Sequence, residues 1–260
     1  EQNTLHNREL EIFSAWDEYL HALNSYDKNG EAKIVKEKIK YIYEAIEHAE
    51  KSIALDKKLT DAYNVLASSL FFLRLESSLQ HDREKNESRF KKVAEISYSL
   101  DPNNPDSVMN MAYLYRISDD EVKYREFVNK AVEINPNQPE FFYNLGLSFH
   151  NDGNFESALT SYEKAILLNP DYAEAYCNMG MSSYEKGDLE GAINRYKKTI
   201  EINPNHAGAY YNLGEVYSKI GKLNLAIITY KKVIKLDPTF WQAYNNLSLI
   251  YSEKGDLQPA

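Results

Sequence analysis

The sequence has little cysteine, no long apolar run and fewer basic than acidic residues. Its 260 residues contain a single cysteine, Cys177, so an internal disulfide framework is excluded. No run of 18 apolar residues occurs, and the sequence therefore predicts no membrane span. The net charge is −9 at pH 7. This charge argues against nucleic acid as a partner, because phosphate binding requires a clustered basic face.

The sequence also lacks the motifs of common catalytic and metal-binding sites. It has no phosphate loop, no dinucleotide fingerprint and no metalloprotease helix. The histidines never stand three or four residues apart, as a helical metal site requires; they are His6, His21, His48, His81, His150 and His206. Cys177 has no adjacent base and is interpreted as a small apolar filler. Asp119 and Asp120, in a turn, are interpreted as initiating a helix. We therefore expect no catalytic residue, no metal and no cofactor, and a chain that is not itself an enzyme.

What the sequence does contain is a period of 34 residues. Proline, asparagine, glycine and alanine each recur at this step. The columns are Pro102, Pro136, Pro170, Pro204 and Pro238; Asn110, Asn144, Asn178, Asn212 and Asn246; Gly146, Gly180 and Gly214; Gly153, Gly187, Gly221 and Gly255; and Ala158, Ala192 and Ala226. One period shared by all these columns indicates a tandem repeat of a single supersecondary unit.

The repeat resembles that of the tetratricopeptide repeat (TPR) family, which uses 34 residues per helix-turn-helix unit. The family's pattern of aromatic, leucine, glycine and alanine positions can be followed as Phe142, Leu145, Gly146, Phe149, Ala158, Tyr162, Ala165 and Pro170. The resemblance is close over about residues 103–260 and loose over about 41–102. It implies an all-α fold, a right-handed superhelical solenoid of antiparallel helix-turn-helix (TPR) hairpins.

Side-chain spacing within one unit predicts the same hairpin without the family name. Gly187 is suited to a left-handed cap that ends the first helix, and the Asp188 carboxylate to capping the second. Small residues at Gly180 on the first helix and Ala192 on the second predict a close approach of the two backbones, with Tyr196 filling the space beside them.

The period divides the chain into segments. Residues 1–58 are predicted to form a divergent N-terminal helical hairpin or cap, and residues 59–102 a long divergent repeat. Regular units follow at 103–136, 137–170, 171–204 and 205–238, and residues 239–260 are a truncated unit with only its first helix. The long repeat has 11 extra residues, rich in polar groups around Gln80 to Ser88, which are expected to lengthen both helices and their turn.

The two ends of the chain differ from the regular repeat. Apolar spacing predicts a long amphipathic helix from about Leu5 to Leu23 and another from about Val35 to Ile53. At the other end, the chain stops at Ala260, just where a second helix should begin. We therefore expect the native protein to continue, and one face of the last helix to be exposed.

The asparagine column carries the binding prediction. In the family that this chain resembles, the first helix of each hairpin lines the concave surface, and equivalent side chains form a ladder. The resemblance places Asn110, Asn144, Asn178, Asn212 and Asn246 on that ladder. An amide offers both a donor and an acceptor, which suits an extended peptide backbone. The alternative is that these asparagines tie adjacent helices together.

The side chains next to the asparagine column limit the kind of ligand that this surface can bind. The residues one before and four before each asparagine include no lysine or arginine, so a clamp for a C-terminal carboxylate is not expected. Three residues after come Tyr113, Leu147, Met181, Glu215 and Leu249. We predict peptide contacts from the asparagines and from Tyr113, Tyr143, Tyr211, Arg116, His150 and Tyr184. This aromatic, mildly acidic surface predicts a neutral to basic extended segment as ligand.

Three functions are compatible with these observations. The first is a non-catalytic scaffold for protein–protein interaction that binds an extended peptide or partner segment in the concave groove. The second is the substrate-recognition arm of a larger enzyme, such as a protein-modifying glycosyltransferase, whose catalytic domain lies outside this chain. The third is self-association through the exposed last helix.

Overall fold

The described part of the chain is entirely helical. The computed structural model describes residues 31–76 and 80–253, which contain twelve α-helices and no strand. They are α1 (Glu31–Leu55), α2 (Thr60–Glu76), α3 (Gln80–Leu100), α4 (Pro105–Ile117), α5 (Glu121–Ile134), α6 (Pro139–Asn151), α7 (Phe155–Leu168), α8 (Ala173–Glu185), α9 (Leu189–Ile202), α10 (Ala207–Lys219), α11 (Leu223–Leu236) and α12 (Trp241–Glu253). The prediction of an all-α helical repeat is confirmed. The helix predicted from Leu5 to Leu23, and the residues after Glu253, lie outside the described residues.

Prolines and short polar side chains set the starts of these helices. Pro105 occupies the first turn of α4, and α6 begins with a proline in the same way; there the missing N–H has no helical partner to lose. The Asp188 carboxylate accepts a hydrogen bond from the Gly191 N–H at 2.9 Å, the cap predicted for α9. Asp120 caps α5 in the same way, accepting from the Lys123 N–H at 3.1 Å.

Glycine ends the first helix in three of the repeats. Gly153, Gly187 and Gly221 have φ angles of 73°, 82° and 74°, the left-handed conformation in which a side chain is disfavoured. The corresponding residue one repeat earlier is Asp119, whose φ is 55°. Among the described residues it is the sole non-glycine with a positive φ, so the turn between α4 and α5 carries backbone strain that the others avoid.

Replacing Asp119 by glycine is expected to raise the free energy of unfolding by about 0.5–1 kcal/mol, because glycine adopts this conformation without steric cost. The neighbouring variant Asp120→Ala is the control with the opposite sign. It removes the α5 cap and is expected to lower stability by about 1 kcal/mol. Urea unfolding of both variants checks the pair, and a loss of stability in Asp119→Gly would contradict the strain interpretation.

The described helices form two compact units, unit 1 with α1 to α5 and unit 2 with α6 to α12. In unit 1, α2 packs against α1, α3 and α4, and α5 packs on α4. Ile42, Leu70 and Phe90 are almost fully buried and bring α1, α2 and α3 into one core. The burial of these large apolar side chains provides the main stabilisation of this unit.

The long repeat of unit 1 differs from the others in the length of its helices. Helices α2 and α3 have 17 and 21 residues, whereas α6 and α7 have 13 and 14. Both helices are therefore longer than in a regular repeat, by four and seven residues. These increases together equal the 11 inserted residues, as expected if both helices are lengthened. The expected longer turn falls on residues 77–79, which lie outside the described residues.

In unit 2 the helices from α6 to α12 each pack on the next in chain order. In each complete hairpin of unit 2, the second helix buries one tyrosine against a glycine of the first helix. These tyrosines, Tyr162, Tyr196 and Tyr230, are at most 2% exposed. A Cβ added to Gly180 would lie 2.6 Å from Cε1 of Tyr196, closer than carbon atoms pack. The predicted close approach of α8 and α9 beside Tyr196 is thus present. Residue 180 faces this ring as a glycine because no side chain would fit there.

Candidate binding surface on the first helices

In unit 2 the first helices lie side by side, since α8 contacts both α6 and α10. The asparagine column joins them through hydrogen bonds. The Asn178 amide nitrogen on α8 donates to the Tyr143 hydroxyl on α6 at 2.8 Å. The Asn246 amide nitrogen on α12 donates to the Tyr211 hydroxyl on α10 at 3.2 Å and to the Tyr230 hydroxyl on α11 at 3.1 Å. Each bond connects one repeat to the preceding one.

Asn212 and Asn144 are the other two members of the asparagine column in unit 2. The Asn212 amide approaches the Cys177 sulfur at 4.0 Å, again linking neighbouring first helices. The Asn144 amide donates to the Glu140 carbonyl of its own helix at 2.8 Å. Tyr143, Cys177 and Tyr211, the partners on neighbouring first helices, each directly precede the asparagine of the previous repeat. The two tyrosines among them were predicted to contact the ligand.

In unit 1 the same link belongs to a buried polar network. The Asn110 amide on α4 donates to the Asn64 side-chain oxygen on α2 at 3.3 Å. That oxygen also accepts from the hydroxyls of Ser107, at 3.0 Å, and Ser97, and the Asn64 amide donates to the Asn104 side chain at 3.0 Å. Asn64 and Asn110 are 5% and 1% exposed. This network ties α2, α3 and α4 together.

These bonds favour helix tying, the alternative interpretation of the asparagine column. Asn110 and Asn144 are buried, whereas Asn178, Asn212 and Asn246 are half-buried. Contact between the half-buried asparagines and a peptide backbone stays a prediction. For such a contact to form, the ligand must approach an amide whose nitrogen already has a partner within the protein.

The predicted aromatic residues are likewise engaged with the fold. In unit 1, Tyr113 stacks on Phe71 with ring centroids 4.6 Å apart, and the Arg116 guanidinium lies 5.7 Å from the centre of the Tyr124 ring. Tyr143 and Tyr211, in unit 2, are half-buried and accept the amide bonds just described. These tyrosines therefore position neighbouring helices, whatever else they contact.

His150 and Tyr184 lie at the ends of their first helices in unit 2. The His150 Nδ1 atom is 2.9 Å from the Ser182 hydroxyl, and burial lowers the pKa of this histidine. A neutral imidazole at pH 7 follows, so His150 adds no positive charge to the surface. Tyr184 is half-buried, and the Lys219 ammonium lies 4.2 Å from the centre of its ring, a cation–π contact.

A row of side chains three residues after the asparagines is less engaged with the fold. Met181 on α8 and Leu249 on α12 are 37% and 57% exposed, and Glu215 on α10 is half-buried between them. We call Met181, Glu215 and Leu249 the exposed row. The Tyr211 hydroxyl donates to Glu215 Oε1 at 3.0 Å, and burial raises the pKa of this carboxyl. From this register the sequence predicted a peptide contact at Tyr113, but not at Met181, Glu215 or Leu249.

Cys177 is not a nucleophile in this fold. It is 6% exposed, and burial raises the pKa of its thiol to about 12. The thiolate is the reactive form of cysteine, so the thiol stays protonated at neutral pH. The interpretation of Cys177 as a small apolar filler agrees with this environment.

Unit 1 contains a cavity that the sequence did not indicate. Its volume is about 520 Å³, and it lies between α3 and the second half of α4. Met111 and Leu114 contribute apolar atoms to its lining, and Glu84, Glu87 and Glu95 carboxylates. Glu84 and Glu87 lie in the polar stretch around Gln80 to Ser88 that contains the extra residues of the long repeat, so this stretch contributes part of the cavity wall.

Across residues 31–76 and 80–253, no helix combines the length and apolar character that crossing a bilayer demands. Within the same ranges, no group of three or more histidine, cysteine, aspartate or glutamate side chains is arranged to hold a metal ion.

Helix pairs of about 13 and 14 residues, repeated every 34 residues with a glycine between the two helices, define a helical-repeat protein. Comparison with protein-family models then identifies the repeat. A model described as "TPR repeat" matches residues 149–184 and 182–221. Models described as "Tetratricopeptide repeat" match residues 207–240, 127–160 and 229–258. The chain belongs to the tetratricopeptide repeat family.

Solved structures share this fold. YrrB, described as a TPR protein with an unusual peptide-binding site, is 22% identical, with 77% of this chain and 98% of YrrB aligned and a TM-score of 0.55. MamA is 24% identical over 61% of this chain and 93% of its own, with a TM-score of 0.54. The structure of the APC/C hetero-tetramer Cut9–Hcn1 is 16% identical over 96% of this chain and 46% of that chain, with a TM-score of 0.72. A search of curated protein sequences found no match.

Proposed function

We propose that this chain is a non-catalytic scaffold that binds an extended segment of a partner protein on the first helices of unit 2. The tetratricopeptide repeat fold supports a scaffold for protein–protein interaction. The extended ligand and its position go further, and they rest on the surface of α8, α10 and α12. YrrB, a relative in fold, is described as having a peptide-binding site, which supports a peptide as the kind of ligand.

The observation that carries the proposal is the exposed row. Met181 and Leu249 leave apolar surface in water at equivalent positions of two first helices, and Glu215 lies between them in the same register. A regular row of partly exposed side chains on adjacent helices suits a ligand whose own side chains recur at regular intervals. An extended segment meets this requirement, whereas a compact surface has no such period.

Charge supports a neutral to basic ligand. Glu140 and Glu174 are exposed in the first turns of α6 and α8, and Glu215 is half-buried on α10. Glu140 and Glu174 also interact favourably with the positive ends of their helix dipoles. Glu215 has no such role within its helix, so it is the acid that most clearly indicates a ligand. A basic segment would gain from all three carboxylates, and an acidic one would be repelled by them.

Two fluorescent peptides of equal length and equal apolar content, one rich in lysine and arginine and one rich in aspartate and glutamate, test this proposal. We expect the basic peptide to bind at least tenfold more tightly, as measured by fluorescence anisotropy at physiological salt. Equal affinities of the two peptides would refute the predicted ligand charge, and no binding of either to the folded chain would refute the peptide-binding surface.

Two other functions, a recognition arm of a larger enzyme and self-association, can be tested directly. A recognition arm of a larger enzyme would use the same surface, and a catalytic domain in the full-length sequence would support it. Self-association through α12 remains a prediction: Trp241 and Tyr244 are 68% and 41% exposed on this helix. Sedimentation at two protein concentrations shows whether copies of the chain associate.

A further inference from the structure

We propose that Glu215 binds a lysine or arginine side chain of the ligand, and that apolar side chains three residues before and three residues after this cation contact Met181 and Leu249. The inference rests on the proposed function, since it assigns a sequence pattern to the segment held on α8, α10 and α12. It names Glu215 as the residue that determines specificity.

The Glu215 carboxylate is held in place by a chain of hydrogen bonds. The Tyr211 hydroxyl, one turn earlier on α10, donates to Oε1 at 3.0 Å. That hydroxyl in turn accepts from the Asn246 amide of α12 at 3.2 Å. A carboxylate fixed in this way loses little conformational entropy when a ligand binds, so the site is preorganised for its partner.

The same carboxylate has lost hydration without gaining a counter-charge. Burial raises its pKa, and in the described part of the chain the sole group that lowers it is the neutral Tyr211 hydroxyl. Lys219 lies one turn further along α10, but its ammonium is held over the Tyr184 ring and forms no ion pair with Glu215 among the described contacts. A partly buried anion whose neighbours supply no cation is expected to favour a cationic ligand.

The surroundings of Glu215 contain several tyrosines. Tyr196, Tyr211 and Tyr230 each interact with this carboxylate, and Tyr196 also interacts with Glu185. The pKa of Tyr230 is raised, chiefly by burial, so its ring carries no charge at neutral pH. Aromatic rings around an acid suit a lysine or arginine, because their faces attract the cation while the carboxylate pairs with it.

The spacing of the exposed row indicates the pattern of the ligand. Helices that pack in contact have axes roughly 8–10 Å apart, and α8 contacts α10 directly, while α10 and α12 are joined by the Tyr211–Asn246 bond. A polyproline II segment advances about 3.1 Å per residue with three residues per turn, so every third side chain returns to one face after about 9 Å. Same-face residues of a β-strand recur after about 6.6 Å and fit this row less well. The ligand pattern is therefore apolar–x–x–basic–x–x–apolar.

Selection from a random peptide library tests this inference on the whole chain. Twelve-residue peptides displayed on phage are selected against wild-type protein and against Glu215→Gln, Glu215→Lys and Glu190→Gln. Glutamine keeps the shape of the side chain and still accepts from Tyr211, so this variant is expected to fold, which its thermal unfolding checks. Glu190 is exposed on α9, a second helix, and is the matched control.

We expect wild-type protein and Glu190→Gln to select peptides with a basic residue flanked at both three-residue positions by apolar residues. Synthetic peptides of this pattern should bind Glu215→Gln at least tenfold more weakly than wild type, and Glu215→Lys should select an acidic residue in place of the basic one. Peptides that bind wild type and Glu215→Gln equally, or that lack the basic residue, would overturn the inference and leave the proposed function intact. A library that yields no peptide on any variant would overturn both.

Discussion

Gly180→Ala is expected to lower the free energy of unfolding of the second unit by about 2 kcal/mol, the typical cost of overpacking a filled core. The added Cβ would lie 2.6 Å from Cε1 and 2.9 Å from Cδ1 of Tyr196. Tyr196 is 2% exposed, and displacing a ring in a close-packed interior is costly. The clash must therefore separate α8 from α9, because neither the helix backbone nor the ring can yield alone.

The sign of this effect distinguishes packing from helix propensity. Alanine is favoured over glycine inside a helix by about 1 kcal/mol, so a helix limited by propensity would gain stability. Gly208→Ala on α10 is the control, since a Cβ there approaches no closer than 3.3 Å, to the His206 ring. We expect it to be neutral or mildly stabilising in the same urea titration. A stable Gly180→Ala protein would show that the two helices are not in close contact.

Asn64→Ala is expected to destabilise unit 1 by about 2–3 kcal/mol, because it removes several buried hydrogen bonds at once. The lost side chain accepts from Ser107 and Asn110 and donates to Asn104. Ser107 and Asn110 are left buried with one bond fewer each, and a small cavity is added. Loss of amide protection in α2 and α4, measured by hydrogen exchange, should accompany the loss of stability.

Asn103→Ala is the matched control for this variant. Asn103 is exposed in the loop before α4, and surface substitutions of this kind usually change stability by less than about 0.5 kcal/mol. Similar stabilities of Asn64→Ala and Asn103→Ala would mean that the polar network contributes nothing measurable, and that α2, α3 and α4 are held by apolar packing alone.

The sequence was sufficient for the local features of the fold. The glycine column marked the left-handed ends of the first helices, and even its departure at Asp119 lies in that conformation. Asp120 and Asp188 cap the helices that were predicted to begin there. Such features depend on a few neighbouring residues, so spacing along the chain determines them. The distribution of the inserted residues between α2 and α3 could not be predicted, because a count does not say which helix grows.

The position of the candidate site could be predicted from the sequence, but the hydrogen bonds of its residues could not. The asparagine column does lie on the first helices, yet the amides of Asn178 and Asn246 bond to the hydroxyls of Tyr143 and Tyr211, about one repeat earlier. Those partners meet only after the hairpins stack, and the sequence does not fix rotamers. Glu215 was not predicted as a site residue for a similar reason. An acid in the register of Met181 and Leu249 looks ordinary until its burial and its bond to Tyr211 are known.

The central claim is that the ligand lies on the first helices of unit 2, and photo-crosslinking measures this most directly. A photoreactive amino acid is placed at position 181 on α8 or at position 249 on α12, and for comparison at position 167 on α7, a second helix whose Leu167 is 72% exposed. Each protein is illuminated with a bound basic peptide. We expect crosslinks from positions 181 and 249 and none above background from position 167. Crosslinks from position 167, with none from the other two, would contradict the claim.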